Sequence, residues 1–155
     1  MINDYLTRTT DILALSGQKE TGEALLTMSF AGVVDSGEIC TGIQKLTQRY
    51  VLRFLKKTGS DLFAQSEGTE FMTRVDRGEL RNSVDALVAF SEAQLDLRKQ
   101  LRAEELSTDP DDERFDRAEI QSLAVLPGNL KLYIRLYSRA GDSRELILPI
   151  SITVR

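Results

Sequence analysis

Carboxylates are the only side chains in this sequence that are numerous enough to suggest catalysis on their own. Histidine is absent, which removes the usual general base and the catalytic triads that depend on it. Two carboxylates suffice for glycoside hydrolysis, and Asp61, Glu67 and Glu70 in an aromatic-containing loop are the best candidates. With 24 Asp and Glu residues, accidental pairs are expected. A peptidoglycan-active, lysozyme-like enzyme is therefore kept as an alternative.

Metal and cofactor chemistry has few candidate ligands. Cys40 is the single cysteine, which excludes a thiolate zinc site and an internal disulfide. The acidic segment 101–119 could attract a hard cation, but it lacks the Asp-x-Asp-x-Asp-Gly spacing of an EF-hand. The sequence contains neither a dinucleotide-binding glycine motif nor a phosphate-binding loop. We therefore expect no metal, no cofactor and no catalytic residue.

Basic residues cluster on two predicted surfaces, one along a helix and one on a sheet. The helix surface has Lys45, Arg49, Arg53 and Lys56, and the sheet surface has Lys131 and Arg135 together with the aromatic Tyr133 and Tyr137. A basic and aromatic sheet face can stack single-stranded bases. The net charge of −4 and the pI of about 5.0 are unlike the strongly basic character of most nucleic-acid-binding domains. A single-stranded nucleic-acid-binding module is the second alternative, and we expect no nucleic-acid partner.

The remaining composition is typical of a cytoplasmic globular chain. No apolar run approaches the roughly 20 residues that span a bilayer, and the N-terminus lacks the pattern of a secretory signal. We therefore expect no membrane contact and folding in a reducing cytoplasm. A length of 155 residues predicts one domain, with residues 1–21 as an N-terminal arm and 22–155 as its main part.

The stretch from Leu130 to Val154 has the clearest secondary-structure signal. Aliphatic residues occupy every second position on both sides of a turn at Ala140-Gly141-Asp142: Leu130, Leu132, Ile134, Leu136, Leu146, Leu148, Ile150, Ile152 and Val154. Period two predicts a β-hairpin with one buried face. Pro149 cannot donate a backbone hydrogen bond, which favours an edge strand or a bulge there. A hairpin alone is marginal in water, so its apolar face must pack on helices.

Two helices are predicted before the hairpin, at about 37–57 after an Asp35-Ser36 cap and at about 82–106 after Asn82 or Ser83. The second helix has two apolar faces, one with Leu87, Phe90, Leu97 and Leu101 and another with Val84, Val88 and Leu95. Two such faces indicate either two contacts or a helix wedged into a small core. Between the helices, Phe63 and Phe71 follow turn residues and are predicted to anchor an ordered loop to the core.

Strands are also predicted at 24–31 and 119–126. The resulting order predicts an α+β fold, in which two helices pack on a mostly antiparallel sheet with a C-terminal β-hairpin. The acidic segment 101–119 and the basic hairpin have opposite charge, which suits either head-to-tail assembly in a ring or pairing within the chain.

Several short motifs resemble one known family. They are the run Thr41-Gly42-Ile43-Gln44-Lys45-Leu46-Thr47-Gln48-Arg49-Tyr50, the following Thr58-Gly59-Ser60-Asp61-Leu62-Phe63, Gly68-Thr69, and the C-terminal strands. Together they resemble the baseplate wedge proteins of contractile-tailed phages, also called sheath initiators, which have relatives in type VI secretion and R-type pyocins. The resemblance covers roughly residues 22–155. The family commonly carries Glu-Pro-Arg before its last strands, where this chain reads Asp116-Arg117-Ala118-Glu119-Ile120.

The resemblance implies a non-enzymatic role, although some members carry a historical lysozyme label. The chain would be a structural adaptor in the tail baseplate of a virion, assembled in the host cytoplasm. It would be present in several copies in a symmetric ring, with the tail sheath protein and the baseplate wedge and hub proteins as partners. Its hairpin would pair strands with sheath subunits by β-augmentation. The residues expected to take part are Leu146, Leu148, Ile150 and Ile152 for strand pairing, and Arg135, Arg139 and Arg144 for charge matching.

Overall fold

The predicted hairpin forms the centre of a five-stranded sheet that two helices cover on one face. A computed structural model describes residues 11–12, 15–20, 23–28 and 39–152, and before Cys40 it describes the backbone only. The elements in chain order are β1 Asp11–Ile12, β2 Leu15–Glu20, β3 Glu23–Met28, β4 Ile39–Cys40, α1 Gly42–Leu55, α2 Phe71–Asp76, α3 Ser83–Glu104, β5 Phe115–Leu126, β6 Asn129–Ser138 and β7 Ser143–Ser151. The α+β class predicted from the sequence is confirmed.

The sheet has the order β2-β3-β7-β6-β5 and is antiparallel except between β3 and β7. β6 and β7 form the predicted hairpin, in continuous register from Asn129 opposite Ser151 to Tyr137 opposite Ser143. Every second residue of β6 is buried, which confirms the period-two interpretation. A separate two-stranded sheet joins β1 to β4.

β5 changes phase halfway along its length. A register shift lies between Ile120 and Ser122, so that Ala118 and Ile120 before the shift and Leu123 and Val125 after it all pack against the core. The extra residue of a bulge lets the strand keep its apolar side on the core after the alternation is interrupted. The strand begins at Phe115, earlier than the predicted 119, because Phe115 itself is buried.

The helices differ from prediction mainly at their starts. α1 begins at Gly42 after Thr41 and not near residue 37, and residues 39–40 form β4. The predicted Asp35-Ser36 cap lies outside the described residues. The prediction for the second helix is confirmed within two residues: α3 runs from Ser83 to Glu104, and the Asn82 side chain accepts hydrogen bonds from the backbone N–H groups of Val84 and Asp85.

The core lies between the helices and the sheet, and aromatic rings form its centre. Tyr50 and Phe54 of α1 stack on each other, and Phe54 also contacts Phe71 and Phe90. Phe115 of β5 stacks on Tyr50 from the sheet side. Phe71 therefore anchors the segment between the helices, as predicted. Leu87, which was predicted to share a stripe with Phe90, Leu97 and Leu101, is exposed, whereas those three residues are buried.

Candidate partner-binding surfaces

β7 has very different neighbours on its two sides. Toward β6 it forms nine register pairs, whereas toward β3 it forms one, Leu25 opposite Ile147. The Ser138 N–H donates to the Asp142 carbonyl, and the Ile152 N–H donates to the Gly128 carbonyl. Hydrogen-bonded and non-hydrogen-bonded pairs alternate in an antiparallel ladder. The odd-numbered residues of β7 therefore direct their backbone N–H and C=O groups away from β6, toward β3.

Pro149 is one of these odd-numbered residues, so its missing N–H does not interrupt the ladder with β6. The prediction that Pro149 marks an edge strand or a bulge is wrong in both respects, because β7 has a strand on each side at Ile147 and its register with β6 is continuous. The proline instead removes a donor from the side that faces β3, two residues beyond the single register pair. On that side, β7 has the sparsest pairing in the five-stranded sheet.

The aliphatic residues proposed for strand pairing lie mostly in the core of their own chain. Leu146, Leu148 and Ile150 are buried beneath the helices, and Ile152 is partly buried against the same cluster. Their side chains therefore pack inside this chain and are not exposed to a partner. β-Augmentation acts through the main chain. The burial of these residues would therefore hold β7 in place for a partner strand, but their side chains would not contact that strand.

The three proposed arginines have three different environments. Arg135 pairs with Glu145 across the hairpin, so both partners belong to this chain. Arg139 Nη2 lies 2.8 Å from Glu105 Oε2, which joins the hairpin turn to the acidic segment. The opposite charges of these two regions thus meet within the molecule at this point. Arg144 is half-buried and forms no ion pair with any residue in the described ranges.

Two of the three candidate catalytic carboxylates converge on one lysine. Lys56 Nζ lies 2.9 Å from Asp61 Oδ2 and 2.8 Å from Glu67 Oε2, whereas Glu70 is exposed at the start of α2. The hydrogen bonds from Lys56 are the main cause that lowers the pKa of Asp61 and of Glu67. A glycosidase acid needs a raised pKa to hold its proton. The pair is therefore suited to fixing the loop, and neither carboxylate is suited to donating a proton.

The tip of this loop carries the most exposed apolar residues of the described chain. Phe63 is 99% exposed and Leu62 is 83% exposed, so the prediction that Phe63 anchors the loop is wrong. The backbone is nevertheless ordered around them: the Phe63 N–H donates to Asp61 Oδ1, and the Gly59 N–H donates to the Gln65 carbonyl. The sequence signal was the same for Phe63 and Phe71. Only the fold shows that Phe63 is exposed and that Phe71 is buried.

The basic face of α1 is largely neutralised by acids of the same chain. Lys45 pairs with the buried Glu113, Arg49 with Glu104, Arg53 with Glu67 and Glu104, and Lys56 with Asp61 and Glu67. On the opposite face of the sheet, Arg117 lies 3.9 Å above the ring of Tyr137. These contacts engage the charges of the α1 face and one of the two sheet tyrosines that nucleic-acid binding would require.

Other kinds of site have no counterpart in the described ranges. Residues 11–12, 15–20, 23–28 and 39–152 contain no group of three or more metal-ligating side chains. Among these same residues, no helix has the length and apolarity that crossing a bilayer requires. Comparison with known proteins found no matching family model, curated protein or solved structure.

Proposed function

We propose that this chain is a structural adaptor of a contractile phage tail baseplate and that it initiates sheath assembly by strand pairing with sheath subunits. The observation that carries the proposal is the asymmetry of β7, with nine register pairs on one side and one on the other. In this proposal a sheath strand pairs with the outer side of β7, where β3 now forms its single register pair. Wedge and hub proteins are the further partners, in a symmetric ring.

The ladders of the sheet support this choice of edge. β2 and β3 form six register pairs, and β5 and β6 form ten. The ladder between β3 and β7 therefore has the fewest register pairs of the sheet. It is also the only parallel ladder of the sheet, and parallel pairing is slightly less stable per residue. Exchanging one register pair for a longer ladder would release free energy for assembly.

The outer edge of β5 is a poorer alternative. It carries two register shifts, between Phe115 and Arg117 and between Ile120 and Ser122. Bulges and charged side chains are the usual devices that prevent a sheet edge from pairing with another chain. Arg117 and Glu119 lie on this strand, pair with each other and are both exposed. An incoming strand would meet a regular register along β7 and an interrupted one along β5.

Glu145 offers a direct test of this edge. It is an exposed odd-numbered residue of β7, so its N–H points away from β6. Glu145→Pro removes that donor while leaving the β6 ladder intact, and Glu145→Ala is the matched control because it loses only the side chain and its pair with Arg135. Each variant is co-expressed with the tail sheath protein, and sheath tubes are counted by electron microscopy.

We expect E145P to remain folded, as judged by its circular dichroism, and to nucleate far fewer sheaths than E145A. The reverse change, Pro149→Val, supplies a donor on the same side and should retain or increase nucleation. Equal sheath numbers for folded E145P and for E145A would contradict strand pairing at this edge. Glycan release by the wild-type chain that is lost in Glu67→Gln would support the lysozyme-like alternative.

A further inference from the structure

The outward face of α3 has four exposed apolar residues over its first three turns, and the exposed Ser91 and Glu92 lie between the third and the fourth of them. Val84, Leu87, Val88 and Leu95 are 68%, 43%, 48% and 62% exposed. Their spacings of three, four and seven residues place them on one side of the helix. The opposite side, with Ala86, Ala89, Ala93 and Leu97 among others, is buried against the rest of the chain. α3 therefore has one apolar face that packs inside and a second that does not.

A cavity lies beside the N-terminal half of this face. It has a volume of about 220 Å³ and is lined by Arg74, Glu79, Leu80, Asp85 and Val88. Val88 thus belongs both to the exposed stripe and to the wall of the cavity. Exposed apolar side chains that cluster on one side of a helix are characteristic of interaction sites. The cavity could receive one side chain of a partner that covers the stripe.

The same face becomes basic where the apolar stripe ends. Arg98, Lys99 and Arg102 follow Leu95 within two turns, on the same side of the helix. None of the three forms an ion pair within the part of the chain that the structure describes, whereas Lys45, Arg49, Arg53, Lys56 and Lys57 of the α1 region all do. The charge on this end of α3 is therefore available to a partner.

We propose that the outward face of α3 binds an amphipathic helix of a partner protein, in antiparallel orientation, with carboxylates in the first turns of that helix. The apolar stretch from Val84 to Leu95 is roughly 17 Å long, or about three helical turns. Helical spacing of the anchors is the signature of helix-on-helix recognition. In antiparallel orientation, the acidic first turns of the partner meet Arg98, Lys99 and Arg102. Acids there also suit the partner's own helix dipole.

Charge argues against a second copy of this chain as the occupant. If two copies of α3 paired in antiparallel orientation with Leu95 opposite Val84, Arg98 of each would approach Arg81 of the other, and Arg81 is also exposed and without an ion pair in the described ranges. In parallel orientation, Arg98 and Arg102 would face their own copies. Like charges oppose both arrangements, whereas an acidic helix satisfies the basic end.

The test uses two synthetic helical peptides and the full-length chain. Both peptides carry leucines at alternating three- and four-residue spacing over three turns. One has three glutamates in its first two turns, and the other has lysines there. Binding is measured by fluorescence anisotropy for the wild type, for the double variant R98E/R102E, and for the control R117E/K131E, which reverses two charges that lie on the sheet. A further variant, Leu95→Lys, interrupts the apolar stripe.

We expect the wild type to bind the glutamate peptide about tenfold more tightly than the lysine peptide, and R98E/R102E to reverse that preference. Two surface ion pairs with one peptide, and two like-charge contacts with the other, together correspond to roughly a tenfold difference in affinity. R117E/K131E should behave like the wild type, and L95K should weaken the binding of both peptides. Equal affinity of the wild type for both peptides, the same effect from both double variants, or a wild-type dimer that L95K dissociates would each overturn the proposal. This surface does not depend on the sheath role of β7.

Discussion

The inner and outer sides of the helical layer use the same residue types for opposite purposes. Phe71 is 1% exposed and Phe63 is 99% exposed, although both follow turn residues in the same connection between α1 and α3. Leu97 is fully buried and Leu95 is 62% exposed, two residues apart on one helix. Phe71 and Leu97 pack in the core, whereas Phe63 and Leu95 are exposed to solvent. Apolar character in the sequence therefore does not show by itself whether a side chain packs in the core or remains exposed.

The largest difference between the two sides should appear in the aromatic pair. Phe71→Ala removes a ring that packs on Phe54 and should lower the free energy of unfolding by about 3–5 kcal/mol. Phe63→Ala removes an exposed ring and should change it by less than about 0.5 kcal/mol. Urea unfolding followed by circular dichroism measures both. A large loss of stability in F63A would show that the loop tip is packed in solution.

Ion pairs should show the same contrast with a smaller effect. Glu113 is buried, accepts a hydrogen bond from the Gly42 N–H and contacts Lys45 Nζ at 2.7 Å, so Glu113→Ala should cost about 3 kcal/mol. The pair between Lys57 and Asp76 is exposed, and Asp76→Ala should cost less than about 1 kcal/mol. Thermal unfolding of the two variants compares them. Similar melting temperatures would contradict the buried role of Glu113.

Two glycines of the loop sharpen the comparison further. Gly68 has a φ of +99°, and a Cβ there would lie 2.4 Å from the Lys56 carbonyl oxygen, whereas Gly59 has a φ of +78° with open space around it. Gly68→Ala should therefore cost roughly 2–3 kcal/mol, from backbone strain together with displacement of the loop. Gly59→Ala should cost only about 1 kcal/mol, from φ alone. Equal losses in urea unfolding would mean that the loop moves freely at Gly68.

The smallest expected effect is the acid sensitivity of the loop. The pKa values of Asp61 and Glu67 are lowered by Lys56, so their stabilising contribution is complete above the ordinary carboxyl range and is lost as the pH falls through their lowered values. Carboxyl titration by NMR should place both midpoints below those of exposed carboxylates. Lys56→Met should return them toward the ordinary range. Unchanged midpoints in K56M would contradict the assigned cause.

Local patterns in the sequence predict the elements that local physics decides. The hairpin follows from strict period two between Leu130 and Ile150, and the start of α3 follows from the Asn82 cap. The start of α1 does not follow locally, because the Gly42 N–H is held by Glu113, 71 residues away. The parallel contact of Leu25 with Ile147 joins still more distant segments. No periodicity within either strand encodes that partner.

The proposed site was predictable to a similar extent. The sequence located β7 and its inward-facing aliphatic residues correctly, but it favoured an edge strand or a bulge at Pro149 because proline cannot donate to a ladder. The structure gives that proline a different place, on the side of β7 where pairing is sparse. The exposed stripe of α3 was visible as a second apolar face. Whether such a face packs inside or outside depends on how far the sheet extends, which the helix sequence alone does not contain.

The most direct test of the sheath-initiator role is a cryo-electron microscopy structure of this chain assembled with the tail sheath protein. The account predicts a strand from a sheath subunit that is hydrogen-bonded to the outer side of β7, through the odd-numbered residues between Ser143 and Ser151. A particle in which β7 still lies between β6 and β3, with no strand from another chain beside it, would contradict the account.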